Sequence, residues 1–264
     1  MHIDLAGRTA FVSGSTHGIG RVIAAGLAAA GAYTVINGRS ADSVDSVVGE
    51  LRAADPRARI DGIAADVSTP EGAATVFGAL PAVDVLINNL GIYAPQPVLE
   101  IDDETWQRYW NVNVMSGVRL ARHYLPGMRD RGWGRVQFMA SESAVVIPEE
   151  MVHYGVTKTA LLGVSRGFAK AMAGTGVTVN AVIAGPTRSE GVEEFIRGLL
   201  GEDLPWERAE AEFMKRMRPT SLIKRLIDPE EIANMVVYLS SDLASATTGG
   251  ALRVDGGCAD HILP

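Results

Sequence analysis

Thr9-Ala10-Phe11-Val12-Ser13-Gly14-Ser15-Thr16-His17-Gly18-Ile19-Gly20 runs from an apolar stretch through three glycines into segment 18–30, rich in alanine, leucine and isoleucine. The first part reads as a strand and the last as a helix, which Gly31 stops as a C-terminal glycine does. Glycines at that junction let backbone approach a pyrophosphate, and the helix N-terminus adds unpaired N–H groups and the positive end of a dipole. A tight turn without a ligand has the same letters, so the turn gains meaning from its place between strand and helix.

Outward from it the alternation continues. Further strands are expected at 33–37, 59–64, 83–87, 134–140, 177–183 and 251–254, with helices at 43–54, 70–80, 106–131 and 156–173. The run 83–87 is nearly all apolar, as suits a parallel strand covered on both faces. Parallel neighbours need crossovers, so the pattern implies an α/β fold: a Rossmann-type, doubly wound parallel sheet of about seven strands with helices on both faces. No repeat or linker divides the chain, and 1–264 reads as a single domain. Segment 188–227, charged and carrying Trp206 and two prolines, interrupts the rhythm and reads as a mostly helical substrate cover.

Composition narrows the function. With a net charge of −7 over 264 residues, the chain is a poor match for nucleic acid or an anionic membrane surface. No window is apolar for long enough to span a bilayer, and the first residues lack a secretory signal, so a soluble cytoplasmic protein is expected. Cys258, the single cysteine, reads as a packed small residue. The five histidines are scattered without ligand spacing, and no metal is expected.

Three further stretches fit a dinucleotide. Asp66-Val67 follows the third strand, where it can meet an adenine edge, and Asn88-Asn89-Leu90-Gly91 closes the fourth, at the carboxyl ends where such sheets bind ligands. The second strand ends Asn37-Gly38-Arg39-Ser40. An acidic residue there would hold the two ribose hydroxyls of NAD; glycine leaves that place empty. Arg39 is then either a partner for a 2′-phosphate or a solvated charge, and NADP(H) is favoured over NAD(H). His17 adds a partial positive charge at the turn or simply faces solvent.

Tyr154 and Lys158, four apart on a helical segment, face the same way. An ammonium near a phenol favours the phenolate, which suits acid/base work; an ordinary surface turn has the same spacing. Ser141, ending the fifth strand, supplies a hydroxyl for the same substrate oxygen.

Together these motifs resemble the short-chain dehydrogenase/reductase family over nearly the whole chain. The glycine turn resembles its Thr-Gly-x-x-x-Gly-x-Gly, with Ser13 for the threonine, and 88–91 resembles its Asn-Asn-Ala-Gly, with Leu90 for the alanine. Val112-Asn113-Val114, Ser141 and Tyr154-Gly155-Val156-Thr157-Lys158 match the segments carrying the family's catalytic asparagine, serine, tyrosine and lysine. Segment 180–186 resembles its later strand and Pro-Gly turn, with Ala184 where proline is usual, and 254–257 its Val-Asp-Gly-Gly. Ser189 stands where a threonine holds the carboxamide.

The resemblance implies an enzyme interconverting a secondary alcohol and a ketone by hydride transfer. Tyr154 would be the general acid/base, Ser141 would bind the oxygen, and Lys158 would lower the tyrosine pKa and bind the ribose. Asn113 would hold a water. Cofactor contacts would come from Gly14, Ser15, Thr16, His17, Gly18, Ile19, Gly20, Arg39, Asp66, Val67, Asn89, Gly91, Tyr154, Lys158, Gly185, Pro186, Thr187 and Ser189. It also implies a homotetramer or homodimer built on the long helices. Segment 218–231 is similar to bacterial members called oxoacyl-carrier-protein reductases or sugar dehydrogenases, and its Lys224 and Arg225 read as an acidic-partner contact or a solvated face. For the substrate, Tyr93, Glu142 and Ile147 are candidates; packing, or for Glu142 a neighbouring charge, is the alternative. Trp206, Phe213, Met214 and Met217 fit an apolar lid or a helix packed on the domain. The competing functions are a dehydratase or epimerase on the same scaffold, and a cofactor-binding regulator without turnover.

Overall fold

Seven strands form one sheet in the computed structural model, which describes residues 2–200 and 204–262. They are β1 (Thr9–Val12), β2 (Tyr33–Gly38), β3 (Ile60–Ala64), β4 (Val85–Asn88), β5 (Gly134–Ser141), β6 (Val177–Ala184) and β7 (Ala251–Val254). Their order is β3-β2-β1-β4-β5-β6-β7, with every pairing parallel. From β1 the chain winds outward to β3, then returns to lay β4 on the other side of β1 and winds the opposite way. The reversal between β1 and β4 opens a crevice at their carboxyl ends, where doubly wound sheets bind ligands.

Period-2 alternation divides the strand residues between two cores. Ala10, Val12, Ile36, Val85 and Ile87 meet α1 (Gly18–Ala29), α2 (Ala41–Ala54) and α9 (Pro229–Leu239) through Ile23, Leu27, Val47, Leu51, Ile232 and Val236. Phe11, Val35, Leu86, Val136 and Phe138 meet α3 (Pro70–Ala79), α5 (Ser116–Asp130) and α6 (Val152–Ala171) through Val76, Leu120, Tyr124, Leu125 and Leu161. Helices therefore lie on both faces, as the alternation of elements implied.

The expected single helix 106–131 is divided. α4 (Asp103–Trp110) ends in a π turn, Asn111–Met115, before α5 begins. Such widened turns recur at functional sites, and this one contains Asn113. The helix expected from 156 starts earlier, at Val152, so Tyr154 and Lys158 both lie within α6.

Within 188–227, α7 (Glu190–Leu200) and α8 (Trp206–Met217) are helical as expected; residues 201–203 lie outside the described part. Ile196, Ala209, Phe213, Met214 and Leu226 form a separate apolar cluster, so Phe213 and Met214 pack inside the segment. Its two ends are tied together: Arg188 N–H donates to the Ile227 carbonyl at 2.8 Å and Ile227 N–H to the Pro186 carbonyl at 2.8 Å. Among the described residues no helix is long and apolar enough to cross a membrane.

Candidate active site

Two turns interlock across the crevice. The Ser13 hydroxyl accepts the N–H groups of Asn89 at 3.0 Å and Leu90 at 3.1 Å, and Asn89 Nδ2 donates to the carbonyls of Ser13 at 3.1 Å and Gly14 at 2.8 Å. Serine thus does here what a threonine hydroxyl would do. Leu90 lies against the Gly14 backbone: a β-carbon built on Gly14 would stand 3.0 Å from Leu90 Cα. Gly14 and Gly18 have φ of +60° and +54°, the left-handed region that favours glycine. At Gly20 a β-carbon would fall 2.4 Å from Asn89 Nδ2 and 2.6 Å from the Gly14 carbonyl oxygen, so glycine is required for the turn to close.

A cleft of about 1110 Å³ runs over these turns. Gly14, Thr16, His17, Gly18, Ile19, Gly20, Arg39, Asp66, Val67, Asn89 and Gly91 line it, as do Gly185, Pro186, Thr187 and Ser189. Ser15 does not. It is fully buried, its Oγ donates to the Val12 carbonyl at 2.7 Å and accepts the Asn37 N–H at 2.9 Å, and its own N–H goes to the Asn37 carbonyl. Ser15 holds the turn from behind, and its expected cofactor contact is corrected to a structural role. The glycine cradle, open above Gly18 and backed by the start of α1, fits a dinucleotide pyrophosphate.

At the end of β2, Asn37 is the residue that sequence reading passed over. Its Nδ2 donates to the carbonyls of Ile63 and Ala65, each at 3.0 Å, while Oδ1 accepts the Gly14 N–H at 3.3 Å. One side chain sets the glycine turn, β2 and the end of β3 relative to each other. Its signal was a polar residue ending an apolar strand. A β-carbon on Gly38 would lie 2.5 Å from Thr16 Cγ2. Arg39 is exposed on the cleft rim and makes no ion pair among the described residues. Asp66 has one carboxylate oxygen committed to the Ser68 N–H at 3.0 Å and hydroxyl at 2.6 Å. His17 caps α1 only by position, with Nδ1 3.2 Å from Thr16 Oγ1.

Across the cleft, Ser141, Tyr154 and Lys158 converge at the carboxyl end of β5. Lys158 is buried, its Nζ donates to the Met139 carbonyl at 2.8 Å, and it lies 5.6 Å from the centre of the Tyr154 ring. Burial pushes Lys158 down to about 8. The expected lowering of the Tyr154 phenol is not the net result in the chain alone: burial raises it, the Glu142 carboxylate raises it further, and the Ser141 hydroxyl pulls the other way. Asn113 is also buried, but its side chain is turned away from the cleft, holding the Ile92 backbone and Thr157 Oγ1.

Glu142 has a neighbouring charge. Its Oε2 accepts the Ser141 hydroxyl at 2.6 Å, and its Oε1 pairs with Arg218 Nε at 3.0 Å. Arg218 comes from the residue after α8, distant in sequence, and no local pattern marked it. Tyr93 lines the cleft with its ring 6.0 Å from that of Tyr154. Ile147 does not line it; it packs on the Gly155 backbone, where an added β-carbon would meet its side chain at 3.0 Å, and its candidacy is corrected to packing. His153 is buried against Tyr109, ring centres 4.0 Å apart, away from the site. Arg225 is held by Glu231 at 2.8 and 2.9 Å, and Lys224 by the Pro219 carbonyl at 2.8 Å. Cys258 is buried.

Fold and cleft define a dinucleotide-binding oxidoreductase. Residues 14–259 match the family model described as enoyl-(acyl carrier protein) reductase. The chain is 50% identical over 258 residues to the uncharacterized oxidoreductase YvaG of Bacillus subtilis, covering 97% of this chain and 98% of that one. It is 31% identical over 261 residues to a D-beta-hydroxybutyrate dehydrogenase of Cupriavidus necator, covering 96% and 98%. L-Sorbose reductase from Gluconobacter frateurii, solved with NADPH and L-sorbose, superposes with a TM-score of 0.92 at 33% identity, covering 99% of this chain and 100% of that one. The chain belongs to the short-chain dehydrogenase/reductase family and is an oxidoreductase acting between alcohol and carbonyl groups.

Proposed function

We propose that the protein interconverts a secondary alcohol and a ketone with NADP(H), on a small polyhydroxylated substrate, with Tyr154 as general acid/base. The observation that carries this reading is the convergence of Ser141, Tyr154 and Lys158 on one wall of the cleft whose other end holds the glycine turn and Arg39. The cover 188–227 is taken as the substrate-side part of the single domain 1–264.

The bound dinucleotide supplies the hydride donor or acceptor. Gly14 to Gly20, without Ser15, would hold its pyrophosphate, Arg39 a 2′-phosphate, and Asp66 and Val67 the adenine. Asn89, Gly91, Tyr154 and Lys158 would meet the nicotinamide ribose, and Gly185, Pro186, Thr187 and Ser189 the carboxamide. In reduction, Tyr154 Oη gives its proton to the substrate oxygen as charge develops there, and the Ser141 hydroxyl stabilises that oxygen. A phenol raised by burial is protonated at neutral pH and so ready to donate. Lys158, pushed down to about 8, exchanges a proton near neutrality and can restore the tyrosine. The Asn113 side chain is committed to Ile92 and Thr157, so it positions the loop after β4 and does not itself hold a water in the cleft.

A polyhydroxylated ketone is supported by the polar groups around Tyr154, namely Tyr93 and Glu142, and by the likeness to L-sorbose reductase. The test is NADPH or NADH consumption with L-sorbose, 5-ketogluconate and acetoacetate. Reduction of a keto-sugar with NADPH preferred is expected; reduction of acetoacetate alone, with NADH, would overturn the substrate and cofactor readings. Family resemblance also supports a cytoplasmic homotetramer or homodimer, and light scattering of the purified protein would return a monomer if that were wrong.

A further inference from the structure

We propose that Arg218 is a positioning residue that makes the orientation of Ser141 depend on the seating of the cover. A continuous chain of contacts carries this. Arg218 immediately follows α8; its Nη1 donates to the Met217 carbonyl at 2.8 Å and its guanidinium lies 5.7 Å from the centre of the Phe213 ring, inside the cover's own cluster. Its Nε donates to Glu142 Oε1 at 3.0 Å, and the other carboxylate oxygen accepts the Ser141 hydroxyl at 2.6 Å. Ser141 Oγ in turn accepts the Ser143 N–H at 3.1 Å. The serine proton therefore points at Glu142 in the chain alone, and it must turn from that carboxylate to the substrate oxygen to stabilise it.

Both members of the ion pair are shielded, with 13% of the Arg218 side chain and 8% of that of Glu142 exposed. Removing one member of so shielded a pair leaves the other without its partner in a site that water hardly reaches. Glu150 Oε1, 3.7 Å from Arg218 Nη1, is the only other carboxylate within ion-pair distance of Arg218 among the described residues. If the cover lifts, Arg218 leaves with it, and the Glu142 carboxylate loses the contact that holds it against the Ser141 hydroxyl. The groups facing Tyr154 are Glu142 and Ser141 from the end of β5, Tyr93 from the loop after β4, Lys158 from its own helix, and Arg218 from the cover. Glu142 and Arg218 act on the phenol with opposite signs. A seated cover thus balances the charge around the proton donor and fixes the serine beside it. The effect on turnover rests on the catalytic reading above; the tether itself does not.

The test uses Arg218→Met, Arg218→Lys, Glu142→Gln and the double variant Glu142→Gln/Arg218→Met, each loaded with NADPH. Backbone hydrogen exchange is followed in segments 141–145 and 206–217. The tether predicts faster exchange in both segments for Arg218→Met and for Glu142→Gln, with Arg218→Lys close to wild type. A change confined to the mutated segment would overturn it. With L-sorbose as probe, Arg218→Met is expected to lower kcat about tenfold or more with little change in KM. Its alkaline limb should move up by about one pH unit, that of Glu142→Gln should move down, and the double variant should lie near wild type. Equal loss at every pH, with the double variant worst, would reduce Arg218 to a structural residue. If the wild type does not reduce L-sorbose, the substrate reading fails and the exchange measurement alone decides the tether.

Discussion

Asn113 grips the backbone of Ile92 at both ends: its Oδ1 accepts the Ile92 N–H at 2.8 Å and its Nδ2 donates to the Ile92 carbonyl at 3.0 Å. The same Nδ2 donates to Thr157 Oγ1 at 2.9 Å, and that hydroxyl donates to the Tyr154 carbonyl at 2.7 Å. The loop after β4 is thereby fixed to the turn of α6 that presents the tyrosine. Asn113→Ala leaves buried polar groups without partners and is expected to destabilise the fold by about 2 kcal/mol or more, measured by urea unfolding. A loss indistinguishable from zero would mean that the grip is replaced by solvent.

Gly38 and Thr16 make cofactor choice a two-residue matter. A β-carbon at Gly38 would meet Thr16 Cγ2 at 2.5 Å. Gly38→Asp alone is therefore expected to weaken both NADPH and NADH by disturbing the turn. Gly38→Asp with Thr16→Ser, which removes the obstructing methyl and keeps the hydroxyl, should gain NADH affinity while NADPH falls. Nucleotide fluorescence titration measures both, and a clean switch by Gly38→Asp alone would contradict the steric argument.

Arg39 makes no ion pair among the described residues, so its removal disturbs no observed pair. Arg39→Ala should weaken NADPH binding about tenfold, the scale of a lost charge-assisted contact, and leave NADH within about twofold. Equal loss for both would return Arg39 to the role of a solvated charge.

Much of this is legible in the amino-acid sequence. The strand–glycine turn–helix at 9–30 and the alternation beyond it gave the parallel sheet, because apolar period and glycine placement are local signals. Tyr154, Lys158 and the turn at 88–91 were recoverable for the same reason. What escaped was long-range. Arg218 meets Glu142 only because the cover folds back over β5, and nothing near either residue announces the other. Ser15 and Ile147 read as site residues from their neighbours in sequence, yet one faces the strand ends beneath the turn and the other lies half-exposed against Gly155 of α6. The π turn at Asn113 was hidden because a helical period does not show one extra residue per turn.

Lys158 predicts a pH-dependent stability difference in protein without added nucleotide. Its folded pKa, about 8, lies below its ordinary 10.5. Below the lower value the lysine is protonated in both states and the fold carries a buried cation. Between the two values only the unfolded chain keeps the proton, so the penalty fades as pH rises. Lys158→Met should therefore stabilise the fold at neutral pH, by on the order of 1–3 kcal/mol after losing the bond to Met139, with the gain shrinking toward pH 10.5. Thermal unfolding at neutral and alkaline pH checks the sign; a gain that grows with pH would contradict it.

The central claim is that Tyr154 is the proton donor. Its most direct test is the rate of NADPH oxidation by Tyr154→Phe with whichever of L-sorbose, 5-ketogluconate and acetoacetate the wild type reduces fastest, alongside NADPH binding by fluorescence. Removing one hydroxyl from a seated ring should lower the rate by about a hundredfold or more while leaving NADPH affinity within a few-fold. Undiminished turnover in the variant would contradict the account, since the proton would then come from elsewhere.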